Sequence, residues 1–172
     1  MMEGMENKYS ENESETVSLS DQRFALLKES AKKLEKVLSP EALDILEAII
    51  LRGSTASGFA TEKSDIDYSI VPKAGSKFSS ETLNLINRVL FESLPDIASQ
   101  FTCLPILPSS RAANLFVKRS SKHRERKPAW KFIYVKDEDT KQRLDTILHE
   151  AQNQMEQFYA MQREAWESTK NR

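Results

Sequence analysis

The chain has 172 residues, 25 Lys and Arg against 26 Asp and Glu, and a formal net charge of −1. That balance excludes a global attraction to nucleic acid, so any such binding must be local. Apolar content of 39% with 30% charged residues suits a soluble chain, and a single cysteine excludes an intramolecular disulfide framework. Cys103 sits in the apolar stretch Phe101-Thr102-Cys103-Leu104 and reads as a structural thiol. His123 and His149 lie far apart and, with one cysteine, offer no zinc-ligand spacing. No membrane-spanning run is present. Met1 to Ser20 is acidic and polar, unlike a secretory signal or an Arg-rich transit peptide. The expected location is an intracellular, reducing compartment, cytoplasm or nucleus ahead of mitochondrion.

Taken in chain order, residues 1–20 are rich in Glu, Asn and Ser and are expected to be a disordered acidic tail. Ser20 or Asp21 is predicted to cap a helix whose apolar positions Phe24, Leu27, Ala31, Leu34 and Leu38 keep helical spacing. Ser39-Pro40-Glu41 opens a second helix with proline in its first turn. Ala48-Ile49-Ile50-Leu51 is a short apolar run of buried-strand type, and a second strand follows Asp65. Ser80 to Leu94 reads as an amphipathic helix bearing Leu83, Ile86, Leu90 and Leu94, ended by Pro95. Phe101 to Leu107 and Ala112 to Lys118 read as paired strands, with Pro105 and Pro108 arguing for an edge position or an early break. Trp130 to Val135 is a further strand. Asp137 to about Lys170 is a final long helix carrying Leu144, Ile147, Leu148, Ala151, Met155 and Phe158. The order predicts an α+β fold: a mixed, twisted sheet flanked by helices over residues 21–136, then a helix over 137–172.

The segment between the first two strands carries the chemistry. Gly53-Ser54 lets the backbone turn tightly and presents N–H groups and a hydroxyl to an anion. Gly58 follows, then Ser64-Asp65-Ile66-Asp67 opens the next strand. Residues two apart on a strand share a face, so Asp65 and Asp67 point the same way. Two carboxylates held together repel unless a cation lies between them. Mg²⁺ suits that place, because it takes one or two carboxylates plus phosphate oxygens.

The combination resembles the signature of the DNA polymerase β-like nucleotidyltransferase superfamily. In spacing it is most similar to the non-standard poly(A) polymerases and terminal uridylyltransferases, over about residues 22–136. The resemblance implies a nucleotidyltransferase palm with Asp65 and Asp67 as catalytic carboxylates that hold Mg²⁺ or Mn²⁺. It implies Gly53, Ser54 and Ser64 as nucleotide-binding residues, an NTP as ligand and an RNA 3′ end as acceptor. The family carries a third aspartate two strands later, after a segment that Ala112 to Lys118 resembles. On that alignment its position is Phe132, with Lys131 beside it, while Asp137 and Asp139 lie past the strand end. Family polymerases also continue into a helical domain that holds base and ribose, where this sequence continues into one long helix.

The expected function is an RNA 3′-end nucleotidyltransferase-like protein, degenerate in catalysis and acting by nucleotide, RNA or partner binding. The alternatives are an active template-independent enzyme, using an unrecognised acid or a partner subunit, and a purely structural interaction domain. The C-terminal helix, with Met155, Phe158, Tyr159, Met161 and Trp166, reads as a core helix or as a docking surface for a protein partner.

Lys118, Arg119, Lys122, Arg124, Arg126 and Lys127 put six cations in ten positions, well placed to meet RNA phosphates. Phosphate contacts position without specifying sequence. Affinity for single-stranded RNA is therefore expected to fall steeply with salt, each neutralised phosphate adding about −0.7 to the log–log slope. Changing Lys122, Arg124, Arg126 and Lys127 to Ser should flatten that slope in a filter-binding titration. A slope unchanged by the substitutions would remove the segment from RNA binding.

Overall fold

The structure, a computed structural model, describes residues 17–118 and 129–171. The acidic tail through residue 16 and most of the basic segment, including Arg119, Lys122, Arg124, Arg126 and Lys127, lie outside the described residues. The helices are α1 (Leu19–Ala31), α2 (Leu34–Val37), α3 (Pro40–Ile45), α4 (Gly53–Ser57), α5 (Ser80–Leu90), α6 (Arg111–Val117) and α7 (Glu138–Lys170). The strands are β1 (Leu46–Arg52), β2 (Ile66–Pro72), β3 (Ser99–Cys103) and β4 (Lys131–Val135). They form one four-stranded sheet in the order β3-β2-β1-β4, giving the α+β fold with a mixed sheet expected from the sequence.

Strand β1 pairs antiparallel with both β2 and β4, whereas β3 runs parallel to β2 after the crossover through α5. Both faces of the sheet are covered over most of their area. On one, Leu46, Ile49, Leu51, Ile66, Tyr68, Ile70 and Ile133 pack against α1 and α5. On the other, Ala48, Ile50 and Val71 pack against Ala112, Ala113 and Phe116 of α6 and Leu144, Ile147 and Leu148 of α7. Covered on both sides, β1 and β2 read as near-continuous apolar runs instead of alternating ones.

Three expectations change. Ser18, not Ser20 or Asp21, caps α1 by accepting from Asp21 N, which frees Ser20 to be buried inside the helix. Ala112 to Lys118 is a helix, not a strand. Ser110 caps it by accepting from Ala113 N, and its apolar residues Ala112, Ala113, Phe116 and Val117 follow helical spacing onto α7. The strand expected over 101–107 begins earlier and stops at Cys103, short of Pro105, and lies at the sheet edge as its prolines required.

Helix α7 is packed only in its first half. Leu144, Leu148 and Ala151 are buried, while Phe158, Met161 and Trp166 are 53%, 68% and 63% exposed. Leu148→Ala is therefore expected to cost about 2–5 kcal/mol through the cavity it leaves. Met161→Ala should stay within about 0.5 kcal/mol. Urea denaturation of the two variants measures the contrast.

Candidate functional site

The uncovered part of the α6/α7 face lies where Arg52 ends β1 and Asp67 enters β2. The two are register partners, followed inward by Ile50 opposite Ser69 and Ala48 opposite Val71. Strand β3 sets Gln100 level with Asp67 and Thr102 level with Ser69. Asp67, Arg52, Gln100 and Thr102 thus share one patch of sheet that the described helices leave open, with Ser69 buried between them.

Three devices hold this patch in register. Tyr68, buried on the opposite face, donates to Asn87 Oδ1 of α5 at 2.6 Å, and Ser99 donates to the same oxygen at 3.2 Å. One amide therefore ties β2 to β3 through the crossover helix. Gly53 turns the chain from β1 into α4 at φ 71°, in the left-handed region where glycine is at no cost. A Cβ there would stand 2.7 Å from Asp67 Oδ2, so the carboxylate lies directly against the bare Cα. Helix α1 supports the loop that delivers Asp65. Arg23, 2% exposed, donates from Nη1 to Ser64 O at 2.9 Å, and buried Ser20 accepts from Ala60 N at 3.0 Å.

Asp65 precedes β2 and is exposed, whereas Asp67 is half-buried. Burial raises the Asp67 carboxyl above its ordinary value; the Arg52 charge opposes this and the Asp65 charge adds to it. Ser54 is half-buried beside Gly53, and its carbonyl accepts from Gly58 N and from Phe59 N at 2.9 Å. Ser64 closes a small turn, its hydroxyl accepting from Thr61 N at 2.9 Å. Gly53 and Asp67 are brought together, with Asp65 near enough for its charge to act on Asp67. Ser64 is engaged within its own loop.

The strands flanking β2 overturn the alignment that assigned the third-carboxylate position to Phe132. Strand β4 lies beside β1, where Phe132 is opposite Ile50, one strand removed from Asp67. Lys131 turns to the other face, over the Phe24 ring at 5.1 Å and 3.4 Å from Asp21. Asp137 caps α7 by accepting from Thr140 N at 2.7 Å, at the Glu47 end of the sheet and away from Asp67. Neither Asp137 nor Asp139 can complete the site. The groups level with Asp67 are Arg52 and Gln100, and neither is an acid.

Among the described residues no cluster of three or more His, Cys, Asp or Glu converges. Two neighbouring carboxylates fit a hard cation that completes its shell with water and phosphate oxygens. They do not make the three-acid set that would hold two such ions. Cys103 is half-buried with its thiol pushed up by burial, which keeps it protonated and unreactive.

Sequence reading missed Arg23, Ser20, Arg52 and Gln100. The signal for Ser20 and Arg23 was present: with Leu27, Ala31 and Leu34 they extend the buried helical stripe by polar positions. Gln100 carried no signal, because its register with Asp67 depends on the crossover.

The raised Asp67 value has a consequence for stability. The folded chain holds this proton more tightly than the unfolded chain. Stability therefore falls as pH rises from the ordinary aspartate value through the raised folded one, and the loss is complete above both. With chelator present, Asp67→Asn is expected to raise the melting temperature at neutral pH. The gain should vanish in acid below the ordinary aspartate range. A gain independent of pH would separate it from Asp67 ionisation.

No protein-family model matches the sequence, and no curated protein matches it. Among solved structures, the chain is similar to a "putative nucleotidyltransferase" from Sulfolobus solfataricus. That likeness has 15% identity and a TM-score of 0.35, covering 67% of this chain and 83% of the other. A toxin–antitoxin structure with AMP-PNP is also similar, at 13% identity and a TM-score of 0.42, covering 83% of this chain and 97% of the other. Likeness at this level assigns no activity to the chain.

Proposed function

We propose that this chain is a nucleotidyltransferase-like protein of the RNA 3′-end type that binds a nucleoside triphosphate with Mg²⁺ or Mn²⁺ and has lost nucleotidyl transfer. The observation that carries the reading is the patch around Asp67. Asp67 lies against Gly53 with Asp65 close enough for its charge to act on it, yet the positions flanking Asp67 hold Arg52 and Gln100.

Asp65 and Asp67 are the residues to hold the ion, Gly53 and Ser54 to receive phosphate, and Ser64 to keep the acidic loop in shape. When bound, the ion supplies positive charge that neutralises the triphosphate between the two carboxylates. Among the described residues no third acid stands beside Asp67 to support the ion that would activate an incoming 3′-hydroxyl, so an attacking hydroxyl stays protonated at neutral pH. Lysines and arginines of the basic segment would hold RNA by its phosphates, and the exposed half of α7 would meet a protein partner.

Calorimetry of NTP binding with and without Mg²⁺ tests the first half. Asp65→Ala with Asp67→Ala is expected to abolish the Mg²⁺-dependent gain in affinity without unfolding the chain, and an equal gain in the double variant would overturn the metal assignment. Incubation with labelled oligo(A), each NTP and Mn²⁺ tests the second half. No extension is expected, since losing one such role costs a few powers of ten in rate. Extension abolished by Asp65→Ala would establish an active enzyme instead. Gln100→Asp should tighten Mn²⁺ binding, whereas Phe132→Asp should not.

A further inference from the structure

Arg52 stands at the point where the apolar stripe Ala48–Ile50 of β1 leaves the core, and no core contact explains an arginine there. Its Nε donates to Ser69 Oγ at 3.3 Å, and that hydroxyl is 2.8 Å from Thr102 Oγ1. Ser69 is 3% exposed, so the guanidinium stem is anchored on a buried hydroxyl that is itself paired with half-buried Thr102 on the next strand. Among the described residues neither terminal nitrogen of Arg52 has a hydrogen-bond partner. The side chain is half-buried and lies on the same face as Asp67, its register partner. A guanidinium held by Nε with both outer nitrogens open presents a planar fork, the geometry that receives two phosphate oxygens.

Resting on the reading that this face takes a nucleoside triphosphate, we infer that Arg52 is a further phosphate-binding residue beside Gly53 and Ser54. It supplies a fixed positive charge beside the two carboxylates. Without it, Asp65 and Asp67 would repel a triphosphate whenever no cation is bound. With it, part of the anion affinity needs no metal at all. The same charge disfavours a second divalent ion on the Asp67 side, in keeping with the two acids that stand there among the described residues.

The test uses inorganic tripolyphosphate and ATP titrated into the full chain in EDTA, followed by calorimetry. Wild type is expected to bind both weakly and with marked salt dependence. Arg52→Gln should weaken this metal-free binding about tenfold or more, the loss expected for a charge-assisted contact. Arg52→Lys keeps the charge without the fork and should lose less. Asp65→Ala with Asp67→Ala should strengthen metal-free binding while removing the Mg²⁺-dependent gain. That crossover separates the two claims. Loss of the Mg²⁺ gain alone from wild type would overturn the metal reading and leave Arg52 standing. Metal-free binding that is absent in wild type, or equal in Arg52→Gln and wild type, would overturn the inference. A merely charge-balancing arginine would shift the melting temperature of Arg52→Gln and leave tripolyphosphate affinity unchanged, which overturns it equally.

Discussion

The antiparallel pairing of β1 with β2 is the constraint on which the rest of the site depends. It makes Arg52 and Asp67 partners at the strand ends and leaves Gly53 to carry the chain away above them. Because the carboxylate of Asp67 lies against the Cα of Gly53, the turn and the acid occupy one space that no side chain could share. The glycine thus serves two demands at once, a left-handed backbone and room for an oxygen. Slipping this pairing by one residue would send Asp67 and Ser69 into the α1/α5 core and bring Tyr68 to the open face. Burial of Tyr68, with its hydroxyl on Asn87, opposes that slip.

The cost of this arrangement falls on Asp67. A half-buried carboxylate near a second one is held in its charged form against desolvation and repulsion, and Arg52 offsets only part of that. Such a group belongs where something positive is to arrive. Arg52 changes what that something has to be, because it answers one of the two negative charges from within the chain. A face with two acids and one arginine suits a ligand that brings a cation and an anion together, and metal-bound triphosphate is such a ligand.

Support for the patch comes from far away in sequence. Helix α1 holds the loop before Asp65 through Arg23 and Ser20, and α5 holds the β2–β3 register through Asn87. Helices α6 and α7 cover the same sheet face only as far as Ile50 and Val71, which leaves the strand ends open. The open patch is where the covering helices stop, not a hollow carved into them. Helix α7 runs on past the sheet, so its second half has no part in the core.

Local patterns decided a great deal by themselves. The apolar runs of β1 and β2, the Gly53 turn, the placing of Asp67 at the start of β2, the α5 stripe and the long α7 follow from residue spacing and turn chemistry. These signals act within a few residues. Two misreadings show their limit. Ala112 to Lys118 resembles a family strand segment, yet Ser110 caps a helix there and the α7 stripe accepts its apolar face. Phe132 takes the third-carboxylate position when Ala112 to Lys118 is matched to the preceding family strand, but β4 joins β1 while the α5 crossover seats β3 beside β2. Which strand lies next to which is settled by helices packing on sheet faces and by a single amide bridging two strands. A linear pattern carries no record of that. Sequence alone determined that two carboxylates stand two residues apart at the entry to a buried strand, and tertiary structure decided that an arginine and a glutamine flank the second of them.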